Sequence, residues 1–266
     1  MKIAMIGAGA MGGATVEGMA KVPGLNVDNI CVSDPSASVL DKFAALGVQT
    51  TADNAKAAAG ADIVMVCVKP WLVWQVLAGI KDVLQPERQT LVVIAAGVKS
   101  EDIKEWLGKQ CPPLMLCIPN IAIAQLQSMT FLVPCTGANG ASGANGQQTE
   151  QVKALFEQMG RVIITDEQHL AAGTTLASCG IAYAMRYIRA ASEGGVELGF
   201  KADDAKQIVM QTVRGAVELL QSSGMHPEQA IDLVTTPGGL TIRGLNEMEH
   251  AGFTSAVIRG LKAGKG

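Results

Sequence analysis

Apolar residues in the first half of the chain fall into short, nearly unbroken runs separated by stretches with helical spacing. Residues 2–6 predict a strand and 11–21 a helix, 29–33 the next strand, and 37–46 a helix that ends at Gly47. Residues 63–68 and 90–95 are almost continuously apolar, each preceded by helical sequence. Strands buried on both faces have this character, and their alternation with helices implies βαβ units in a parallel sheet. Residues 114–118 and 130–134 are expected to extend that sheet, followed by a flexible Gly/Ala/Asn/Ser loop over 138–146.

The pattern changes near Asp166, beyond which no strand is expected. Residues 203–222 place Ala205, Ile208, Val209, Val213, Ala216, Val217 and Leu220 along one helical stripe. Residues 170–191 are apolar around most of the circumference, predicting a helix buried on several sides. A helical region of only about 100 residues with such a helix is expected to share its core with a second copy.

Composition narrows the class. At 266 residues the chain is long enough for one or two domains with a full core. Hydrophobic residues make up 48% and charged residues 17%, the latter well below the roughly 25% of an average soluble chain. Disorder, collagen and coiled coil are excluded, and the scarcity of charge points to surface hidden in an oligomer. The formal charge of −3 provides no basic field for nucleic acid or an acidic membrane. Trp, Tyr and Phe number 3, 2 and 5, too few for a base-stacking surface.

No uninterrupted apolar stretch of about 18 residues predicts a membrane span. The opening MKIAMIGAGAMGGA has a lysine and an apolar run, as a signal peptide would, but its glycines sit at strand-to-helix spacing. Cys31, Cys67, Cys111, Cys117, Cys135 and Cys179 contain no CxxC pair and lack nearby paired histidines. They read as reduced, mostly buried thiols of a cytoplasmic protein, with no metal site.

Gly7-Ala8-Gly9-Ala10-Met11-Gly12 follows the first strand and opens a helix. In such a turn Gly7 permits the tight bend, Gly9 lets a pyrophosphate approach the backbone, and Gly12 lets helix and strand pack closely. Free N–H groups and the helix dipole then hold phosphates. Asp34 lies 22 residues beyond Gly12, at the end of the second strand. This context defines a dinucleotide site, and with it an α/β fold: an N-terminal Rossmann-type doubly wound sheet (1–165) followed by an all-helical dimerisation domain (166–266). A carboxylate at Asp34 would accept from the ribose 2′-OH of NAD and repel a 2′-phosphate, and the closest downstream base is Lys42. The other reading of Asp34 is a cap on the following helix, since Asp-Pro-Ser is a good helix start.

Lys69, in Val68-Lys69-Pro70, is placed at a strand's carboxyl end, where open sheets bind ligands. Ala95-Ala96-Gly97 ends the next strand with residues small enough for a nicotinamide ring to lie close. Late in the chain, Pro237-Gly238-Gly239 breaks a helical pattern, and another helix is expected near Thr241. Such a turn offers free backbone N–H groups to a carboxylate, flanked by the Thr236 and Thr241 hydroxyls; it also reads as an ordinary interhelical turn.

The strings GAGAMG, VKPW at 68–71, VVIAAG at 92–97, PN at 119–120 and DLVTTPGGLTIRGL at 232–245 together resemble the Δ1-pyrroline-5-carboxylate reductase family, in the same order over essentially the whole chain. The resemblance implies reduction of the C=N bond of 1-pyrroline-5-carboxylate to L-proline by NADPH or NADH, in a homodimer with intertwined C-terminal helices and often a ring of dimers. By position it puts Gly7, Ala8, Gly9, Ala10, Met11, Gly12, Asp34, Asn54, Val68, Lys69, Pro70 and Ala95 around the cofactor. It puts Thr236, Gly238, Gly239, Leu240 and Thr241 around the imine carboxylate, Thr241 facing the imine nitrogen as the catalytic residue. Glu167 and Asp232 match acidic positions of the substrate pocket. His169, His226 and His250 read as structural or surface residues.

Two segments depart from the family's usual pattern. Where R-x-M-P-N-T-P-A is customary the chain reads Leu116-Cys117-Ile118-Pro119-Asn120-Ile121-Ala122-Ile123. Where S-G-S-G-P-A-Y is customary it reads Ala177-Ser178-Cys179-Gly180-Ile181-Ala182-Tyr183. These departures keep two alternatives in view: a reductase of another cyclic imine acid, and a non-catalytic dinucleotide-binding paralogue in which Ile121 or Ile181 fills the space beside the nicotinamide.

Overall fold

The computed structural model describes residues 1–135 and 146–265. Most of the expected loop over 138–146 lies outside the described residues; Gly146 opens a helix. The chain divides into two compact units, Met1–Ser178 and the remainder from Cys179.

The first unit is built on one eight-stranded sheet. Its strands are β1 (Ile3–Ile6), β2 (Ile30–Ser33), β3 (Gln49–Thr51), β4 (Ile63–Val66), β5 (Thr90–Val93), β6 (Leu114–Ile118), β7 (Ser128–Pro134) and β8 (Gly160–Ile164). They lie side by side in the order β3-β2-β1-β4-β5-β6-β7-β8. Order reverses at β1, the switch point at which doubly wound sheets bind ligands.

The near-continuous apolar runs have a simple cause. Along β1, Ile3 and Met5 enter one core while Ala4 and Ile6 enter the opposite one, and β4 splits the same way between Ile63 and Met65 and Val64 and Val66. Helices α1 (Ala10–Ala20), α2 (Ala37–Ala44) and α6 (Gly146–Glu157) cover the first face with Val16, Met19, Phe43 and Phe156. Helices α3 (Asn54–Ala59), α4 (Val73–Ile80), α5 (Ser100–Leu107) and α7 (Glu167–Gly173) cover the second with Ala58, Leu77, Ile103 and Leu170.

Two strands lie outside those expected from the sequence, and both are edges. β3 is three residues, Gln49, Thr50 and Thr51, and β8 contains Arg161. An edge strand packs less of its surface and so needs fewer apolar residues. The pairing of β6 with β7 is antiparallel, the one exception in the sheet. Only a short link with a 3₁₀ turn at Ile121–Gln125 joins them, less chain than a parallel crossover requires.

The second unit contains helices α8 (Gly180–Glu197), α9 (Ala202–Ser223), α10 (Pro227–Leu233), α11 (Leu240–His250) and α12 (Phe253–Ala263). Among the described residues no strand follows Ile164. Helices α8 and α9 pack at a glycine: a Cβ on Gly195 would lie 2.9 Å from that of Ala205.

The single helix expected over 170–191 is instead α7, a π-helical segment at Thr174–Cys179, and α8. Within one chain α8 has no buried residue, and Met185 is 56% exposed, so burial on several sides is not met by this chain's own contacts. The stripe on α9 is likewise largely uncovered, with Ala205 its one buried residue among those described. No helix among the described residues is long and apolar enough to cross a membrane.

Candidate active site

A cleft of about 760 Å³ runs across the carboxyl ends of β1, β2, β4, β5 and β6, within the first unit. The glycine turn forms its floor. The Gly7 N–H donates to the Ser33 carbonyl at 2.8 Å and Gly7 adopts φ +88°, turning the chain sharply out of β1. A Cβ on Gly7 would lie 2.4 Å from the Cys67 carbonyl oxygen, and one on Gly12 would lie 2.1 Å from the Gly7 carbonyl oxygen. Both positions therefore accept only glycine. Gly9 differs: nothing lies within 4 Å of where its Cβ would sit, and it lines the cleft. The fold itself does not require glycine there; close approach of a ligand does.

Gly9 caps α1 with no side-chain hydrogen bond. The first N–H groups of that helix have no intrahelical partner and carry the positive end of the dipole, a setting suited to a pyrophosphate. The residues present thus fit a dinucleotide by chemistry and by shape.

Asp34 sits at the other end of this floor. Its Oδ2 accepts the Ala8 N–H and its Oδ1 the Ser36 N–H, each at 2.9 Å. Asp34 thus lines the cleft and also secures the turn into α2. Beside it the Ser33 hydroxyl donates to Asn54 Oδ1 at 2.7 Å, which leaves the Asn54 amide nitrogen as the group able to donate to a ligand.

Of the residues expected around the cofactor, all but Ala8 line the cleft. Ala8 is buried and gives its N–H to Asp34. Lys69 precedes a 3₁₀ turn that starts at Pro70, and Ala95 and Ala96 close the end of β5.

Several lining residues had no sequence signal. Thr174 and Ser178 come from the π-helical segment, a widening that no 3.6-residue pattern marks and one that recurs at functional sites. The Ser178 hydroxyl donates to the Pro119 carbonyl at 2.7 Å, and Asn120 Nδ2 donates to the Ala177 carbonyl at 3.4 Å. These bonds tie the π segment to the end of β6. Ile121 is 45% exposed and does not line the cleft, and Ile181 belongs to α8.

The expected substrate residues fall in two places. Glu167, at the start of α7, spends its carboxylate on Ser100: Oε1 accepts the backbone N–H at 2.9 Å and Oε2 the hydroxyl at 2.6 Å. The others lie in the second unit. Asp232 is an exposed residue of α10. Between α10 and α11, the Gly239 N–H donates to the Thr236 carbonyl at 3.0 Å, with Pro237 and Gly238 (φ +69°) at the turn's centre. This is the type II geometry that Pro-Gly favours. A Cβ on Gly239 would lie 2.6 Å from Thr236 Oγ1, so the turn also fixes that glycine. Helix α11 then begins at Leu240 with no side-chain cap, and Thr241 is exposed in its first turn. The arrangement offers an anion free N–H groups and a hydroxyl.

The histidines have other employment. His169 contacts Asp166 at 2.8 Å, His226 Nδ1 accepts the Glu228 N–H at the start of α10, and His250 lies 3.7 Å from Glu247. All six cysteines are free, with Cys67, Cys117 and Cys135 buried. Burial pushes the Cys67 thiol up to about 12 and that of Cys111 to about 11, so neither is a ready nucleophile. No group of three or more His, Cys, Asp or Glu residues among those described could hold a metal ion.

A glycine turn at a helix start, an acid ending the second strand and a cleft at the topological switch point define the class: a dinucleotide-binding protein of the Rossmann type. Residues 167–265 match the family profile described as pyrroline-5-carboxylate reductase dimerisation, and residues 2–97 the one described as NADP oxidoreductase, coenzyme F420-dependent. Pyrroline-5-carboxylate reductase 1 of Dictyostelium discoideum is 36% identical over 97% of this chain, which spans about half (48%) of that relative's length. Pyrroline-5-carboxylate reductase 2 of the same organism is 33% identical over 97% of this chain and 89% of its own. The crystal structure of Plasmodium falciparum pyrroline carboxylate reductase with NADP bound matches with a TM-score of 0.87 at 25% identity, covering 100% of this chain and 95% of that one. The chain belongs to the pyrroline-5-carboxylate reductase family.

Proposed function

We propose that the protein reduces the C=N bond of 1-pyrroline-5-carboxylate to L-proline with NADPH or NADH, an oxidoreductase acting on a CH–NH group in proline synthesis. The observation that carries this reading is the Thr236–Gly239 turn opening an uncapped helix, in a chain that also has a dinucleotide cleft. A substrate with a carboxylate beside its imine suits a chain that has both features.

The bound cofactor supplies the hydride. The N–H groups at the start of α1 hold its pyrophosphate, Asp34 and Asn54 its ribose, and Ala95 gives its nicotinamide room. The backbone amides of Gly238, Gly239 and Leu240 and the Thr236 hydroxyl hold the carboxylate. Thr241 donates to or accepts from the ring nitrogen as the imine becomes an amine. A protonated imine is already electrophilic, so orientation and exclusion of water do most of the work and no histidine dyad is needed. Glu167, whose carboxylate holds Ser100, and Asp232 are the acidic positions assigned to the substrate.

Residues 1–165 serve as the dinucleotide-binding domain and 166–266 as the dimerisation and substrate-binding domain. The exposed apolar residues of the second unit, Met185, Leu198 (83%) and Phe200 (53%) among them, support a homodimer, with a ring of dimers as the larger assembly. The protein acts in the cytoplasm without nucleic-acid or membrane partners.

A steady-state assay with pyrroline-5-carboxylate, following loss of reduced-nicotinamide absorbance and identifying proline, tests the reaction. Turnover with proline as product is expected. Cofactor binding without turnover would overturn it in favour of another cyclic imine acid, a six-membered one first, or of a non-catalytic paralogue.

A further inference from the structure

Resting on the dinucleotide reading above, we propose that this chain selects NADH over NADPH, and that Asp34 enforces the choice by filling with its own carboxylate the place a 2′-phosphate would need.

The argument is one of donors. At the adenosine-ribose end of a cleft of this kind, a 2′-phosphate is held by backbone N–H groups of the glycine turn and of the start of the helix after β2, or by a nearby base. Here the Ala8 N–H of the glycine turn and the Ser36 N–H before α2 both donate to Asp34, at 2.9 Å each. The carboxylate is thus a resident anion. Its remaining lone pairs can accept from ribose hydroxyls, which have protons to give. A phosphate at neutral pH brings about −1.5 to −2 charges and mostly acceptor oxygens, so it meets the repulsion of the carboxylate and finds the Ala8 and Ser36 N–H groups already taken, leaving only the first turn of α2 to donate.

Basic residues do not relieve this. Lys42, the first base after Asp34, is held by Glu17 at 2.5 Å and lies 5.3 Å over the Phe43 ring. Lys69 is the one base lining the cleft among the described residues. It follows β4, on the far side of β1 from β2, so its strand is two spacings, or about 10 Å, from Asp34's. The Plasmodium relative has this fold with NADP bound, so the selectivity proposed here rests on this chain's Asp34 and its two backbone partners and not on the fold.

The test is direct binding, measured by fluorescence titration of NADH and NADPH against the full chain and its Asp34→Asn and Asp34→Ser variants at low ionic strength. Competition by ADP and by adenosine 2′,5′-bisphosphate is measured alongside. We expect NADH to bind the wild type about tenfold or more tightly than NADPH, and ADP to compete better than the bisphosphate. In Asp34→Asn the preference should shrink to about threefold or less. Equal or tighter NADPH binding by the wild type overturns the selectivity while leaving the dinucleotide reading intact. So does an unchanged ratio in a variant whose thermal midpoint is native. Loss of binding for both cofactors in the wild type would instead overturn the dinucleotide reading itself. If neither variant folds, the wild-type ratio and the ADP competition decide.

Discussion

Glu167 grips Ser100 with both carboxylate oxygens, joining the start of α7 to the start of α5 across 67 positions of sequence. Ser100 is the first residue of its helix, and no residue preceding it supplies a side-chain cap, so a distant carboxylate satisfies its N–H. Replacing Glu167 by Ala should cost about 1–2 kcal/mol of stability, as loss of a helix cap does. Ser100→Ala should cost less, since the backbone bond remains. Denaturant unfolding of both variants and their double mutant checks this. Fully additive losses would mean the two residues do not act as one unit.

The glycines of the turn should separate under substitution. Gly9→Ala places a methyl group in open space, so the melting temperature should stay within about 2 °C while dinucleotide affinity falls about tenfold or more. Gly12→Ala drives a Cβ to 2.1 Å from a backbone oxygen and should destabilise the first unit by about 3 kcal/mol or more. Thermal melts with and without cofactor distinguish the two. A Gly9→Ala protein that binds normally would remove the close-approach argument.

Thr241→Ala should lower kcat/KM with pyrroline-5-carboxylate by about 100-fold and leave cofactor affinity nearly unchanged. Steady-state kinetics together with a cofactor titration would read both. Unchanged turnover would take Thr241 out of the imine role and leave the turn's backbone alone to hold the carboxylate.

Alkaline pH should weaken the fold through the buried thiols. An unfolded cysteine ionises near pH 8.5. Cys67 in the folded chain holds its proton until about 12, because burial disfavours the thiolate. The folded state thus binds more protons in that window, and stability present below about pH 8.5 is lost as pH rises toward about 12. Melting temperature followed from pH 8 upward should fall, and less steeply in Cys67→Ala. Equal slopes would show that Cys67 is not among the groups responsible.

The legible parts of the molecule were those with a local cause. Ile63 to Val66 is apolar because both faces of β4 are covered, and the glycine turn announces itself by spacing. β3 was illegible because a three-residue polar edge strand is held by backbone bonds that leave little mark on side-chain type, whereas β8 does carry a strand signal in Val162, Ile163 and Ile164 that the expected pattern omits. In the cleft, Asp34 could be placed by its distance from the glycines, but its grip on Ala8 and Ser36 is a tertiary fact. Thr174 and Ser178 stayed hidden for a different reason. Their helix changes pitch between Thr174 and Cys179, so the faces counted from either end do not predict where those hydroxyls point.

The unequal surroundings of Gly7, Gly9 and Gly12 also bear on how this chain could drift. A descendant released from cofactor binding would still be obliged to keep Gly7 and Gly12, whose replacement collides with the backbone. Gly9 would be free to wander at once, since selection for folding alone does not see it. A glycine there serves binding alone: it offers a bare stretch of main chain against which a ligand can press.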